Sequence, residues 1–221
     1  MTEPLRVTPA NADDRLAPFD LTVADVHQRV IVPGLQAAGG VSPLAPPGAS
    51  GRHAHDGYVV GLRGLLLPRG WVAAQGDNVA RTVHRERQIA IVVAGGNEYT
   101  GRVDGANYLT TAWPKGSRAF AGAILPSQDG FDSLDISDFD WGTDQADGGE
   151  WELWYLLIHP TSDEVRVELS APTRRDRGGF LRGWTQRIVM PSYVIGQVNL
   201  DETTDRDDDG RGEPDVPVLR R

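Results

Sequence analysis

The segment from Trp151 to Ser170 constrains the fold of this chain more than any other, because it is typical of two adjacent β-strands in different surroundings. Its first half is apolar on both faces of an extended strand, and its second half alternates between apolar and charged residues. A strand that is apolar on both faces is covered on both sides, whereas an alternating strand has one solvated face. The segment therefore predicts a β-hairpin whose first strand is central and whose second strand places Glu164, Arg166 and Glu168 in solvent.

The other apolar segments are short and separated by turn residues, which favours further strands over long helices. The chain holds 26 glycines and 15 prolines, many of them between those segments. Strands at this spacing predict a mainly β fold, an antiparallel sandwich or a partly open barrel, with one N-terminal helix and flexible termini. The predicted strands outside the hairpin are Tyr58–Leu67, Gln88–Ala94, Tyr108–Ala112, Arg118–Leu125, Gln186–Met190 and Tyr193–Asn199.

Composition divides the chain into four parts. Residues 1–21 contain Pro and Asp without any periodicity and predict an extended N-terminal arm. Residues 22–57 combine the one good helix candidate, Thr22–Ala38, with a loop rich in Gly and Pro. Residues 58–200 form the predicted β-rich core domain, and residues 201–221 are so polar that they predict an acidic, flexible tail.

Composition and missing motifs exclude several classes of protein. The net charge of −9 disfavours direct nucleic-acid binding, which needs a cationic surface. The absence of cysteine excludes thiol nucleophiles and disulfides. Lys115 is the only lysine and lies outside any G-x-x-x-x-G-K-[ST] sequence, which excludes a P-loop nucleotidase. The sequence has neither a run of ~20 apolar residues nor a secretory signal, so we expect a cytoplasmic protein with no membrane partner.

A first candidate site contains two histidines, His53 and His55, separated by one residue. On an extended strand such residues point to the same side, so both imidazoles can bind one divalent transition metal, with His84 as a third ligand. The alternative is a solvated polar loop. The pattern resembles the first motif of the cupins in His53, His55, Asp56, Gly57, Tyr58 and Gly64. That resemblance implies a β-barrel enzyme that uses a metal to act on a small molecule.

A second candidate site is an acidic sequence near the C-terminus. Asp205, Asp207 and Asp209 alternate ahead of Gly210, as the ligands of a calcium-binding loop do. The bidentate acid expected at the twelfth position of such a loop is replaced by Val216. The sequence therefore predicts either a calcium site or a solvated acidic tail.

The third candidate is a surface for a partner. Between Ser127 and Glu150, acids are mixed with large apolar residues that include Phe131, Phe139 and Trp141, a composition typical of docking segments. The alternative is a long loop that packs on its own domain. Trp113 precedes a proline and is a further candidate for an exposed anchor that contacts a partner or stacks on a sugar or base.

The first hypothesis for function is a non-enzymatic protein that binds a protein partner or self-associates, with a phage or mobile-element accessory protein as one such case. No cofactor is expected under it. The alternative is the cupin-like metal-dependent enzyme, and a third is a module that binds a carbohydrate or nucleotide through exposed tryptophans.

Overall fold

The protein forms one open, mixed β-sheet with helices packed on one face. A computed structural model describes residues 5–7, 9–76, 79–115 and 151–196. The described strands are β1 (Leu5–Val7), β2 (Val72–Gly76), β3 (Val79–His84), β4 (Ile89–Gly95), β5 (Glu152–Pro160), β6 (Glu164–Arg175), β7 (Leu181–Val189) and β8 (Tyr193–Val194). Their order in the sheet is β1-β7-β6-β5-β4-β3-β2, with β8 paired to β6. The predicted sheet is present, but it is neither a barrel nor a sandwich.

Among the described residues, helical residues are about as numerous as strand residues, so this part of the fold is not mainly β as predicted. The described helices are α1 (Ala12–Leu16), α2 (Val23–Asp25), a π-helical segment (Val26–Ile31), α3 (Val32–Gly39) and α4 (Ala49–Leu66), with short 3₁₀ turns at Pro9–Asn11, Ala17–Phe19 and Leu67–Arg69. The predicted helix Thr22–Ala38 is confirmed by the continuous run from α2 to α3, where the Thr22 hydroxyl accepts a hydrogen bond from the Asp25 N–H at 3.0 Å. Part of the predicted extended arm is helical.

The predicted strand Tyr58–Leu67 was wrong, because this segment lies almost entirely in α4. Its apolar residues fit a helical period as well as a strand. Tyr58, Leu62, Leu65 and Leu66 lie on one face of α4 and are buried against the sheet and the preceding helices.

Two glycines allow α4 to pack closely against the run of helices before it. A Cβ atom added at Gly57 would lie 2.8 Å from the Cα of Gly34, and one added at Gly61 would lie 2.2 Å from the carbonyl oxygen of Arg29. Neither position has room for a side chain. Close contact between backbones therefore positions α4 on the sheet.

We expect Gly61→Ala to destabilise the protein by about 1–3 kcal/mol, because the added methyl group must push two helix backbones apart. Gly64→Ala is the matched control. It is an exposed position of the same helix with no atom within 4 Å of an added Cβ. This control should be neutral or stabilise by up to about 1 kcal/mol through helix propensity. Urea denaturation measures both, and equal stability of the two variants would contradict the proposed close packing.

The hairpin prediction is confirmed in its pairing and in the position of its first strand. β5 and β6 are antiparallel, with Tyr155 opposite Ser170, and β5 is central and buried on both faces. One face of β5 packs under the helices, with Trp154, Leu156 and Ile158. The other face forms a second core with Leu153, Tyr155 and Leu157.

The remaining strand predictions have mixed outcomes. Gln88–Ala94 corresponds to β4, and Gln186–Met190 to the end of β7. Tyr108–Ala112 is not a strand, since it makes only one bridge, between Thr111 and Gly96. Tyr193 begins β8, which is two residues long. Arg118–Leu125 lies outside the described residues.

The expectation that Glu168 faces solvent was wrong. Glu168 and Arg187 are each 0% exposed and form a bidentate ion pair on the face of the sheet opposite the helices. Arg187 donates from Nε to Oε1 at 3.0 Å and from Nη2 to Oε2 at 2.5 Å. The hydroxyl of Ser170 and the N–H of Gly101 donate to the same carboxylate, at 2.7 and 2.8 Å. A buried carboxylate is tolerated here because its oxygens accept four hydrogen bonds.

Glu168→Gln should destabilise the protein by about 3–5 kcal/mol, because it leaves the guanidinium of Arg187 buried without a counter-ion. Glu164→Gln is the control on the same strand, since Glu164 pairs with Arg166 at the surface and its loss should cost less than about 1 kcal/mol. Thermal unfolding compares the two. Similar melting temperatures would show that the buried pair is not required for folding.

Candidate functional site

A cleft of about 1030 Å³ opens where β4 and β5 end. These two strands run parallel, so Gly95 and Pro160 finish at the same edge of the sheet. Ligands of open sheets bind preferentially outside the carboxyl ends of such strands. The cleft is lined by Gly48, Gly51, Arg52, Ala54, His55, Asp56, Tyr58, Ala94, Gly95, Gly96, Asn97, Glu98, Ala112, Trp113, Lys115, Ile158, His159 and Pro160.

One wall of the cleft is the loop of residues 96–115, which hydrogen bonds hold to the sheet. The N–H of Ala112 donates to the carbonyl of Gly95 at 2.8 Å. The indole N–H of Trp184 donates to the carbonyl of Leu109 at 3.2 Å. The N–H of Lys115 donates to the carbonyl of Gly179 at 2.6 Å. These contacts fix the end of the loop that carries Trp113 and Lys115.

A second part of the lining is the first half of α4. Gly48 precedes the helix with φ +76°, and no side chain caps the helix within the described part of the chain. The N–H of Ala49 donates to the carbonyl of Pro46 at 3.1 Å, so the first-turn N–H groups available to an acceptor from outside the helix are those of Ser50 and Gly51. The guanidinium of Arg52 lies on this turn and donates to the carbonyl of Pro47 at 3.5 Å.

Lys115 is the least exposed charged side chain of the cleft. Partial burial lowers the pKa of its ammonium group below the ordinary value of 10.5. Among the described residues, this group has no hydrogen bond or ion pair. A cation removed from water without a carboxylate beside it is costly, and an anion entering the cleft would lower that cost.

His55 lies at the rim of the cleft, and its charge depends on its neighbours. The residue is exposed, but the atoms packed around its imidazole remove enough water to lower its pKa below 6.5. Lys115 lowers it further, and Asp56 raises it. His55 is therefore mainly neutral at pH 7, and protonating it disfavours the folded state as the pH falls below 6.5.

His159 lies near the end of β5, and its ring contacts the backbone just after the end of β4. Its Nδ1 lies 3.1 Å from the carbonyl oxygen of Gly96. A carbonyl only accepts, so Nδ1 carries the proton in the neutral ring and Nε2 keeps its lone pair. The imidazole can thus accept a proton at Nε2 without breaking its contact with the strand.

The three predicted metal ligands are not brought together. Histidines two residues apart point to the same side only on an extended strand. His53 and His55 lie in α4, where a two-residue step is a rotation of about 200° around the helix axis, so the two side chains point to nearly opposite sides. His84 ends β3 and packs edge-on against Trp71, with ring centroids 5.4 Å apart. Within the described residues, no three His, Cys, Asp or Glu side chains form a group that could hold a metal ion. Bound metal stays a prediction, to be tested by elemental analysis.

Of the other predicted site residues, only Trp113 belongs to the described part of the chain. The proposed calcium ligands Asp205, Asp207 and Asp209 lie outside the described residues. The same is true of the partner-binding candidates Phe131, Phe139 and Trp141. Trp113 is described, is 74% exposed, and lies at the cleft.

Sequence reasoning did not predict that Lys115, His159 and Arg52 share a cleft with His55. The available signal was weak. Lys115 is the only lysine of the chain, and His159 is a polar residue that ends an apolar strand just before a proline. Neither observation identifies the other residue.

Comparison of the chain with known protein families, curated proteins and solved structures found no significant match. Within the residues that the structure describes, every helix is too short or too polar to span a lipid bilayer.

We expect Asp56→Asn to lower the pKa of His55 further, because it removes the neighbouring carboxylate that favours the imidazolium. Titration of the histidine ring protons by NMR measures this pKa directly. Asp163→Asn is the control, as Asp163 lies in the exposed turn between β5 and β6 and does not act on His55. An unchanged pKa of His55 in Asp56→Asn would mean that the two side chains do not face each other.

Proposed function

We propose that the protein binds a small anionic molecule with a flat apolar part in the cleft at the ends of β4 and β5. The observation that carries this proposal is the half-buried ammonium group of Lys115, which has no acidic partner among the described residues. A phosphate or carboxylate beside it would supply the missing counter-ion and accept charge-assisted hydrogen bonds.

The arrangement of the other charges supports an anion rather than a cation. Asp56 and Glu98 line the cleft but are exposed, as is Arg52. Charges in contact with water are screened, whereas a charge in a less hydrated wall acts more strongly on a ligand. The half-buried Lys115 therefore dominates, although the formal charges of Asp56, Glu98, Arg52 and Lys115 sum to zero.

The first turn of α4 adds a second attraction for an anion. The N–H groups of Ser50 and Gly51 and the positive end of the helix dipole lie at the same cleft as Lys115. A ligand anion in the cleft would satisfy both.

The rest of the lining fits a flat apolar group. Seven of the lining residues are Gly or Ala. Because their side chains are small or absent, these parts of the lining leave space for a ligand and are mainly apolar. Trp113 presents an exposed ring at the same cleft. Aromatic rings of this kind stack on planar ligand groups such as a base or a phenyl ring.

Phenyl phosphate is a suitable probe, and we expect Lys115→Gln to weaken its binding at least about tenfold. Hydrogen bonds to charged groups contribute about 1.5–3 kcal/mol, and 1.4 kcal/mol corresponds to tenfold. Trp113→Ala should weaken phenyl phosphate about fivefold, but not inorganic phosphate, which has no ring to stack. NMR titration of the folded variants measures each affinity.

Arg85→Gln is the matched control, because Arg85 is an exposed cation in the turn between β3 and β4, away from the cleft. If Arg85→Gln weakens phenyl phosphate as much as Lys115→Gln does, binding reflects general charge and the proposal fails. Equal affinities of the wild type and Lys115→Gln would also overturn it.

A protein partner is the second candidate function, and one observation favours it. Trp113 and Tyr108 are 74% and 63% exposed on the loop that forms one wall of the cleft, and large exposed aromatic residues are common anchors of interfaces. Sedimentation analysis of self-association in the wild type and in Trp113→Ala distinguishes this case, since ligand binding in the cleft does not require a change in mass.

A further inference from the structure

We propose that the amine of Lys115 forms an imine with an aldehyde or ketone group on the anionic ligand of the cleft. This inference rests on the proposed function and specifies its ligand as a carbonyl compound with a phosphate or carboxylate group. It also turns a binding site into a site of reversible covalent chemistry.

The position of Lys115 supports a reactive amine rather than a solvated surface lysine. Lysines that form imines are often desolvated, because removal from water favours the neutral amine that attacks carbonyl carbon. Lys115 is half-buried in the cleft and close enough to His55 to affect its titration. Burial lowers the pKa of Lys115, in the direction that this chemistry requires.

The backbone that carries Lys115 is fixed. Its N–H bonds to the carbonyl of Gly179, where φ is +86°. A Cβ added at Gly179 would lie 3.0 Å from the carbonyl oxygen of Lys115 and 3.1 Å from the ring of Pro114. The hydrogen bond and this close approach position the backbone of Lys115 beside Gly179, with its side chain in the lining of the cleft.

The reaction balances without a cofactor. The neutral amine adds to the carbonyl carbon, a C–N bond forms, and a proton moves from nitrogen to oxygen to give a carbinolamine. Loss of water then leaves the C=N bond, and nothing is oxidised or reduced. His55 lines the same cleft, and its neutral imidazole can accept a proton and return it.

The test uses pyridoxal 5′-phosphate, which carries an aldehyde, a ring and a phosphate, and compares it with pyridoxal, which lacks the phosphate. The folded protein is incubated with each compound and reduced with sodium cyanoborohydride, which turns an imine into a stable amine. Peptide mapping then separates Lys115, the only lysine, from the terminal α-amine.

We expect stoichiometric labelling of Lys115 by pyridoxal 5′-phosphate, at least tenfold faster than by pyridoxal and slowed by excess phenyl phosphate. Labelling should be faster in the folded protein than in urea, and His55→Gln should slow it, whereas Arg85→Gln should not. Labelling of Lys115 at the same rate in the folded and unfolded protein, or mainly at the terminal amine, overturns the inference.

The result also distinguishes this inference from the function on which it rests. If phenyl phosphate binds through Lys115 but no imine is trapped there, the covalent step is wrong and anion binding stands. If phenyl phosphate does not bind through Lys115 and no imine is trapped, both proposals fail.

Discussion

The parallel pairing of β4 with β5 is the constraint on which the rest of the molecule depends. Antiparallel neighbours can be joined by a tight turn, but a parallel pair needs a long connection that returns to the starting edge of the sheet. The chain leaves β4 at Gly95 and re-enters the sheet at Glu152. Both strands therefore end at the same edge of the sheet. The first part of the long connection, residues 96–115, begins at that edge and forms one wall of the cleft. The site exists because this pair is parallel.

The buried pair of Glu168 and Arg187 connects that wall to the sheet. Besides binding each other, the carboxylate accepts the N–H of Gly101 and the guanidinium donates to the carbonyl of Arg102 at 3.0 Å. Two charged side chains on β6 and β7 thus hold the backbone of the loop that leads to Lys115. A buried ion pair contributes little net stability compared with apolar residues of similar size. Here the ion pair positions the loop, because its hydrogen bonds to the loop backbone hold the loop in one arrangement over the second core.

The parts of the fold that the sequence predicted are those decided by local pattern. β5 was identified because it is apolar on both faces, and β6 because its apolar and charged residues alternate. Each pattern is visible within about ten residues of sequence. α4 was missed because Gly57, Gly61 and Gly64 lower helix propensity. At Gly57 and Gly61 the lack of a side chain permits contact with another helix, which becomes evident only when that helix is in place. Glu168 was expected in solvent because its partner comes 19 residues later in the chain.

The site was unpredictable for a related reason, since its residues come from separate parts of the chain. Arg52 and His55 lie on a helix, Lys115 on a loop and His159 at a strand end, and only the parallel crossover brings them together. The net charge of the chain, taken alone, argues against an anionic ligand. A chain with charge −9 repels anions at long range, but salt screens that repulsion beyond about 10 Å at 0.1 M. Within the cleft the least exposed charge is the cation of Lys115. The anion binding proposed above would therefore depend on short contacts and shape rather than on the charge of the whole chain.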